Sequence, residues 1–260
     1  MIEVRNASKV FRARRGGQPV TAVVDADLTA RPGEFVAIVG ESGSGKSTLA
    51  RMLLGLIPAT SGRVEVGGVD IAHMDVAQRK AYRRTVQAVL QDPSGSLNPR
   101  KPVGRTIGEI VTLHGIARGR DQVHAKVLEV LELVGLAPAE SFIYRFPQEL
   151  SGGQRQRVLI ARAIVLDPQI IVADEAVSAL DASVKAGVLN LMNGLTERLG
   201  VGYVFITHDL PVVKKVADRV YVMKAGEIVE SGTRQQIFED PRHPYTQSLL
   251  ASELVLETVL

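Results

Sequence analysis

The sequence predicts an α/β fold: a mostly parallel sheet covered by helices on both faces, with a helical lobe inserted into it. Three observations predict it. Short apolar runs alternate with helical patterns along the chain. A glycine-rich loop sits between one such run and the helix that follows it. The stretch 92–166 is helical in pattern and interrupts the alternation.

Taken in order, "VTAVVDADLTA" (Val20–Ala30) has apolar residues at 20, 22, 24, 26 and 28, the period of a strand. "RPGE" then turns the chain into "FVAIVG" (Phe35–Gly40), an uninterrupted apolar run of the kind buried on both faces. "KSTLARMLLGL" reads as a helix that stops before Pro58. "GRVEVGG" and "TVQAVL" (Thr85–Leu90) read as further strands. From Val103 to about Leu136 apolar residues recur at three- and four-residue steps, as in "VHAKVLEVLELVGL", which predicts helix. Strands return at Gln169–Asp174, Tyr203–Thr207 and Arg219–Met223, with helical stretches between them.

Composition narrows the function classes. At 260 residues the chain is long enough for a substantial core, and 45% hydrophobic with 23% charged residues is ordinary for a globular protein. It has no cysteine, which excludes disulfides, thiolate zinc sites and cysteine-ligated clusters. No run approaches the length of a membrane span, and "MIEVRNASKVF" has no secretory h-region, so a cytoplasmic protein is expected. The net charge of +3 is mild. The one dense basic run, Arg12–Gly17, has no interleaved aromatics for base stacking, so it reads as a solvated turn and no nucleic-acid partner is expected.

"GESGSGKS" (Gly40–Ser47) fits G-x-x-x-x-G-K-[ST] in full, after a buried strand and before a helix. The backbone N–H groups of Gly40, Ser42, Gly43, Ser44, Gly45 and Thr48 can curl around phosphate oxygens, helped by the helix N-terminus. Lys46 can reach the β- and γ-phosphates, and the Ser47 hydroxyl can ligate Mg²⁺. ATP with Mg²⁺ is the expected ligand pair. "IIVADEA" ends a strand in two carboxylates: Asp174 suits the metal, and Glu175 suits orientation and deprotonation of an attacking water. Alone, such a strand-end acid pair is as readily a solvated surface. Gln91 and His208 also follow apolar strands. Gln91 can hold metal or water and His208 can contact a γ-phosphate, although a lone strand-end histidine is more often structural. A second Ser-Gly-Gly turn, in "ELSGGQRQRV" (Glu149–Val158), also precedes a helix but carries no lysine.

The ordered set "GESGSGKST", "LQDP", "LSGGQRQRV", "IIVADEA", "SALD" and "FITHD" closely resembles the ATP-binding cassette subunits of ABC transporters, over nearly the whole chain. The resemblance implies a P-loop ATPase core over 1–91 and 167–232, with an N-terminal antiparallel β region. A helical signature lobe over 92–166 and a helical tail over 233–260 complete it. It implies that two cassettes dock head to tail, so that Ser151, Gly152, Gly153 and Gln154 of one face the ATP held by the other; the partner is expected to be a different subunit. Gln91 resembles the residue at which the lobe meets the permease, Asp181 in "SALD" the link between sites, and Phe11 the aromatic that stacks on adenine. Leu90 and Ala176-Val177 depart from the common Phe and Pro-Thr without removing a catalytic group.

"LQDPSGSLNPRKPV" and "PRHPYTQSLLAS" resemble the dipeptide, oligopeptide and nickel importers. The implied function is ATP hydrolysis that powers a peptide importer from the cytoplasmic face of the membrane, with permease subunits and, indirectly, a solute-binding protein as partners. The same engine in a nickel or metallophore importer is the alternative, and a soluble non-transport ABC ATPase a more distant one.

Overall fold

The computed structural model describes residues 1–12, 18–90 and 93–258. The chain opens with a long hairpin, β1 (Ile2–Phe11) against β2 (Val20–Ala30), and β1 pairs on its other side with β4 (Ser61–Val66), which carries the short β5 (Val69–Asp70). All these pairings are antiparallel. Between β2 and β4 the chain makes β3 (Phe35–Val39) and α1 (Lys46–Leu53). After β5 come α2 (Val76–Thr85) and β6 (Val86–Val89). A helical stretch follows: α3 (Pro93–Ser96), α4 (Val103–Leu113), α5 (Arg120–Leu133) and α6 (Gly152–Ile164). The chain then alternates through β7 (Ile170–Asp174), α7 (Ala182–Leu199), β8 (Gly202–Ile206), α8 (Leu210–Val216) and β9 (Arg219–Lys224). It ends in β10 (Glu227–Thr233), α9 (Arg234–Glu239) and α10 (Pro244–Thr258).

The second sheet has the order β10-β9-β3-β8-β7-β6, parallel except where β10 turns back on β9. Its central strand β3 is buried at all five positions, as the continuous apolar run requires. Alternation along β3 divides the core. Val36 and Ile38 pack with Leu49, Met52 and Leu53 of α1, under the antiparallel sheet. Phe35, with Tyr203 and Phe205 of β8, packs toward α6 and α7. Ala37 and Val39 pack with α8 and the start of α10.

The structure corrects the expected strand pattern in β2. Its buried residues are Val23, Ala26, Leu28 and Ala30, while Val20 is 63% exposed. The register skips between Val23 and Ala26, because Asp25 adopts φ +40° and forms a bulge opposite Ser8. The Ser8 hydroxyl donates to the Asp25 carboxylate at 3.0 Å and accepts its backbone N–H at 2.9 Å. The expected helical run from Val103 to Leu136 is two helices, broken where Gly115 and Gly119 take φ +65° and +82°. Thr85 closes α2 and does not belong to β6.

Candidate active site

The carboxyl ends of β3, β7 and β8 lie side by side, and each delivers functional groups to the same edge of the sheet. From β3 the loop Gly40–Ser47 curls into α1. Gly40, Gly43 and Gly45 have φ of +149°, +81° and +105°. At Gly45 a β-carbon would stand 2.2 Å from the Ala22 carbonyl oxygen of β2, so the loop presses backbone to backbone against the antiparallel sheet. The Gly226 N–H donates to the Ser44 carbonyl and the Val24 N–H to the Gly226 carbonyl, both at 2.9 Å. Loop, β9–β10 turn and β2 are thereby tied together.

Lys46 is only 6% exposed. Its ammonium donates to the carbonyls of Gly40 and Glu41, both at 2.7 Å, and more weakly to Ser44 Oγ at 3.4 Å. Ser42 and Gly43 are exposed, Ser44 is buried, and Thr48 is half-buried in the first turn of α1. The Ser47 hydroxyl lies 3.4 Å from Asp174 Oδ1 at the end of β7. Next along, Glu175 has φ +48°, a left-handed conformation uncommon for a non-glycine residue. Its N–H donates to the Ile206 carbonyl at 2.8 Å, and its own carbonyl accepts from the Ser178 N–H at 3.2 Å and hydroxyl at 2.9 Å. Glu175 Oε1 lies 3.4 Å from Nδ1 of His208, which follows β8.

Burial pulls the Lys46 pKa below the ordinary lysine value, and the charges of Glu175, Asp174 and Glu41 pull it partly back. Burial likewise pushes Asp174 above the usual carboxylate range; the Ser47 hydrogen bond opposes this, Glu175 adds to it, and Arg51 and Lys46 offset part of it. A carboxyl whose pKa is higher folded than unfolded stabilises the fold while protonated. That contribution is fully present below the unfolded value and is lost as pH rises through the raised one. At neutral pH an ionised Asp174 therefore costs stability. Asp174→Asn is expected to raise the melting temperature of the nucleotide-free protein at pH 7, by about 1 kcal/mol in stability, with the gain shrinking as pH falls through the raised value. A melting temperature lowered at pH 7 would contradict this.

The second glycine turn is built elsewhere, on the N-termini of α6 and α7. Ser151 is the N-cap of α6: its Oγ accepts from the Gln154 N–H at 3.3 Å, while Gln154 Oε1 accepts from the Ser151 N–H at 3.0 Å. As the Oγ only accepts in this cap, its own O–H is left to donate outward. Gly153 is buried, and a β-carbon there would stand 2.3 Å from Val184 Cγ1 of α7. Asp181 caps α7, accepting from the Val184 N–H and the Ser183 hydroxyl at 3.0 Å. The Val184 bond, then the Ser183 bond, hold its carboxyl below the usual range. Ser151, Gly152 and Asp181 are exposed, while Gly153 is buried against α7.

Phe11 ends β1 with 39% of its surface exposed and Lys9 Nζ 5.4 Å from its ring centre. It pairs with Val20, on the same end of the hairpin as the Ala22 carbonyl that meets Gly45. Gln91 and most of the basic run, residues 13–17, lie outside the described residues. Sequence reasoning gave no part to Ser178 in shaping Glu175. It lies in "SALD", and its three-residue spacing from Glu175 is the available signal for a Ser-capped turn.

Residues 23–178 match the ABC transporter family. The chain belongs to that family. Residues 229–258 of this cassette also match the oligopeptide/dipeptide transporter C-terminal region. A Brucella abortus (strain 2308) protein named for peptide import ATP binding is 50% identical over 239 residues, covering 91% of this chain and 71% of that protein. The glutathione import ATP-binding protein of Escherichia coli (strain K12) is 44% identical, covering 99% of this chain and 42% of its own length. Among solved structures, a dimeric ATP-binding cassette in a post-hydrolysis state bound to ADP and Pi is similar with a TM-score of 0.78. It is 30% identical and covers 90% of this chain and 99% of its own.

Proposed function

We propose that this cassette is the ATP-hydrolysing subunit of a peptide importer, acting as a peripheral protein on the cytoplasmic face of a membrane. One observation carries the hydrolytic reading: Lys46, Asp174, Glu175 and His208 meet at one sheet edge, with Glu175 and His208 3.4 Å apart. In this reading the backbone of 40–48 and the Lys46 ammonium receive the phosphates, and Phe11 stacks on the adenine. Glu175 takes the proton from the attacking water, and His208 contacts the γ-phosphate.

Ser47 and Asp174 suit a hard cation, since their oxygens already lie 3.4 Å apart and a positive ion would relieve the desolvated carboxylate. Gln91 is the third proposed ligand. When bound, Mg²⁺ neutralises charge on the β- and γ-phosphate oxygens. Ser151, Gly152, Gly153 and Gln154 serve the nucleotide of a second cassette, with Asp181 linking the two sites. The exposure of Ser151, Gly152 and Asp181 and the dimeric relative bound to ADP and Pi support that arrangement.

The proposed division of labour assigns ATP chemistry to 1–91 and 167–232 and contact with the partner and permease to 92–166, with 233–260 a short helical tail. Among the described residues no helix is long and apolar enough to cross a membrane. Contact with the membrane then runs through permease subunits. An apolar groove of about 1000 Å³ between α4 and α5, rimmed by exposed Leu113 and Tyr144, offers the surface for them. The C-terminal match and the names of the Brucella and Escherichia relatives favour peptides as cargo. Deleting the gene is expected to abolish uptake of labelled di- and tripeptides and to leave nickel uptake intact; the opposite pattern would assign the cassette to a metal importer.

A further inference from the structure

The "HPYT" segment (His243–Thr246) marks the importer subgroup in sequence and lies about 200 positions from the glycine-rich loop along the chain. In the structure it reaches the nucleotide loop. The Tyr245 hydroxyl oxygen accepts the backbone N–H of Glu41 at 3.1 Å, across 204 positions of sequence. That N–H and the Gly40 carbonyl belong to one planar peptide unit. The Gly40 carbonyl is the group that accepts from the Lys46 ammonium at 2.7 Å. One peptide plane is therefore gripped at its N–H end by Tyr245 and at its C=O end by Lys46.

The tyrosine is itself aimed by its neighbours. Glu230 of β10 accepts the backbone N–H groups of Arg242 at 2.8 Å and His243 at 3.1 Å, which fixes the approach to α10. His243 Nδ1 then accepts the Tyr245 N–H at 3.1 Å, and Pro244 opens the helix where no N–H partner is needed. Lys224 of β9 holds its ammonium 4.7 Å from the centre of the Tyr245 ring. The ring is 8% exposed and packs in the cluster that contains Val39, the residue directly before Gly40. Each residue of His-Pro-Tyr thus has a physical part in delivering one hydroxyl to one amide.

We infer that Tyr245 is a positioning residue for nucleotide binding: it sets the Gly40–Glu41 peptide plane, and through it the loop and Lys46, and so couples α10 to occupancy of the ATP site. The inference rests on the nucleotide reading of the 40–48 loop. Without the hydroxyl the plane can rotate, the Glu41 N–H loses its partner, and the loop must be ordered by the ligand at the ligand's expense. By linkage, ATP must in turn steady α10.

The test is Tyr245→Phe in the full chain, with ATP titrated calorimetrically, hydrolysis followed against ATP concentration, and backbone amide exchange measured by mass spectrometry. The expected result is a Kd and KM for ATP raised about fivefold, the change to which the central value for one ordinary hydrogen bond corresponds. Hydrolysis at saturating ATP stays within about twofold, because no reacting group is touched. In the parent protein ATP slows exchange in the first turns of α10, and in the variant this response is lost. A purely structural tyrosine would lower the melting temperature and leave Kd unchanged, which overturns the inference. If the variant does not fold, the parent alone decides: exchange in α10 indifferent to bound ATP overturns it. A parent that binds no ATP overturns the nucleotide reading as well, so the two failures are distinct.

Discussion

Replacing Glu175 by glutamine leaves ATP binding within about twofold of the parent and slows hydrolysis by about 100-fold or more, the range for loss of a general base. The change is isosteric, and the backbone of residue 175 is held by groups the substitution does not touch: the Ile206 carbonyl at 2.8 Å and Ser178 on its own carbonyl. The left-handed turn at φ +48° therefore survives, and only proton acceptance is lost. An amide still contacts His208 and still orients a water, so binding and cassette pairing persist. Hydrolysis within about threefold of the parent would remove Glu175 from the base role.

Gly45→Ala has the other large effect, on the loop itself. Its φ of +105° is strained for any residue with a β-carbon, and that carbon would lie 2.2 Å from the Ala22 carbonyl. The Met223 methyl, 2.9 Å away, can move; the carbonyl cannot, because β2 is hydrogen-bonded to β1 and to Gly226. A loss of about 3 kcal/mol is expected from strain and displacement together, which lowers the melting temperature by roughly 10 °C. ATP binding disappears with it, because the loop must leave β2. Gly43→Ala is the control: φ is +81° there, but a β-carbon meets nothing within 4 Å. Strain alone, about 1 kcal/mol, is expected at that position. Equal melting temperatures for the two variants would contradict the account of the loop.

The site was legible in the sequence because its parts are contiguous motifs at the ends of apolar strands. Asp174, Glu175 and His208 each follow a run that β-pairing buries, and neighbouring parallel strands must end at a common edge. The bulge at Asp25 was not legible: alternation is a local signal, whereas the bulge comes from Ser8 on another strand. Helix α2 escaped notice because it buries only Tyr82 and so has no apolar stripe; its signal was Asp75 and Gln78, which form a capping box. The contact of Tyr245 with Glu41 joins residues too far apart in sequence for any periodicity to suggest it. The tight fit of Gly153 against Val184 was equally hidden, although it explains why the second glycine turn must be glycine.

The central claim is that ATP joins two cassettes, one supplying Lys46 and the other Ser151. Light scattering on the Glu175→Gln protein tests it directly, with and without Mg-free ATP, alone and mixed with a second, different cassette subunit. The account predicts that ATP converts single cassettes into pairs in one of these two preparations, and that Gly153→Asp, crowded against Val184, abolishes pairing while ATP still binds. ATP-saturated protein that stays a single cassette in both preparations would contradict it.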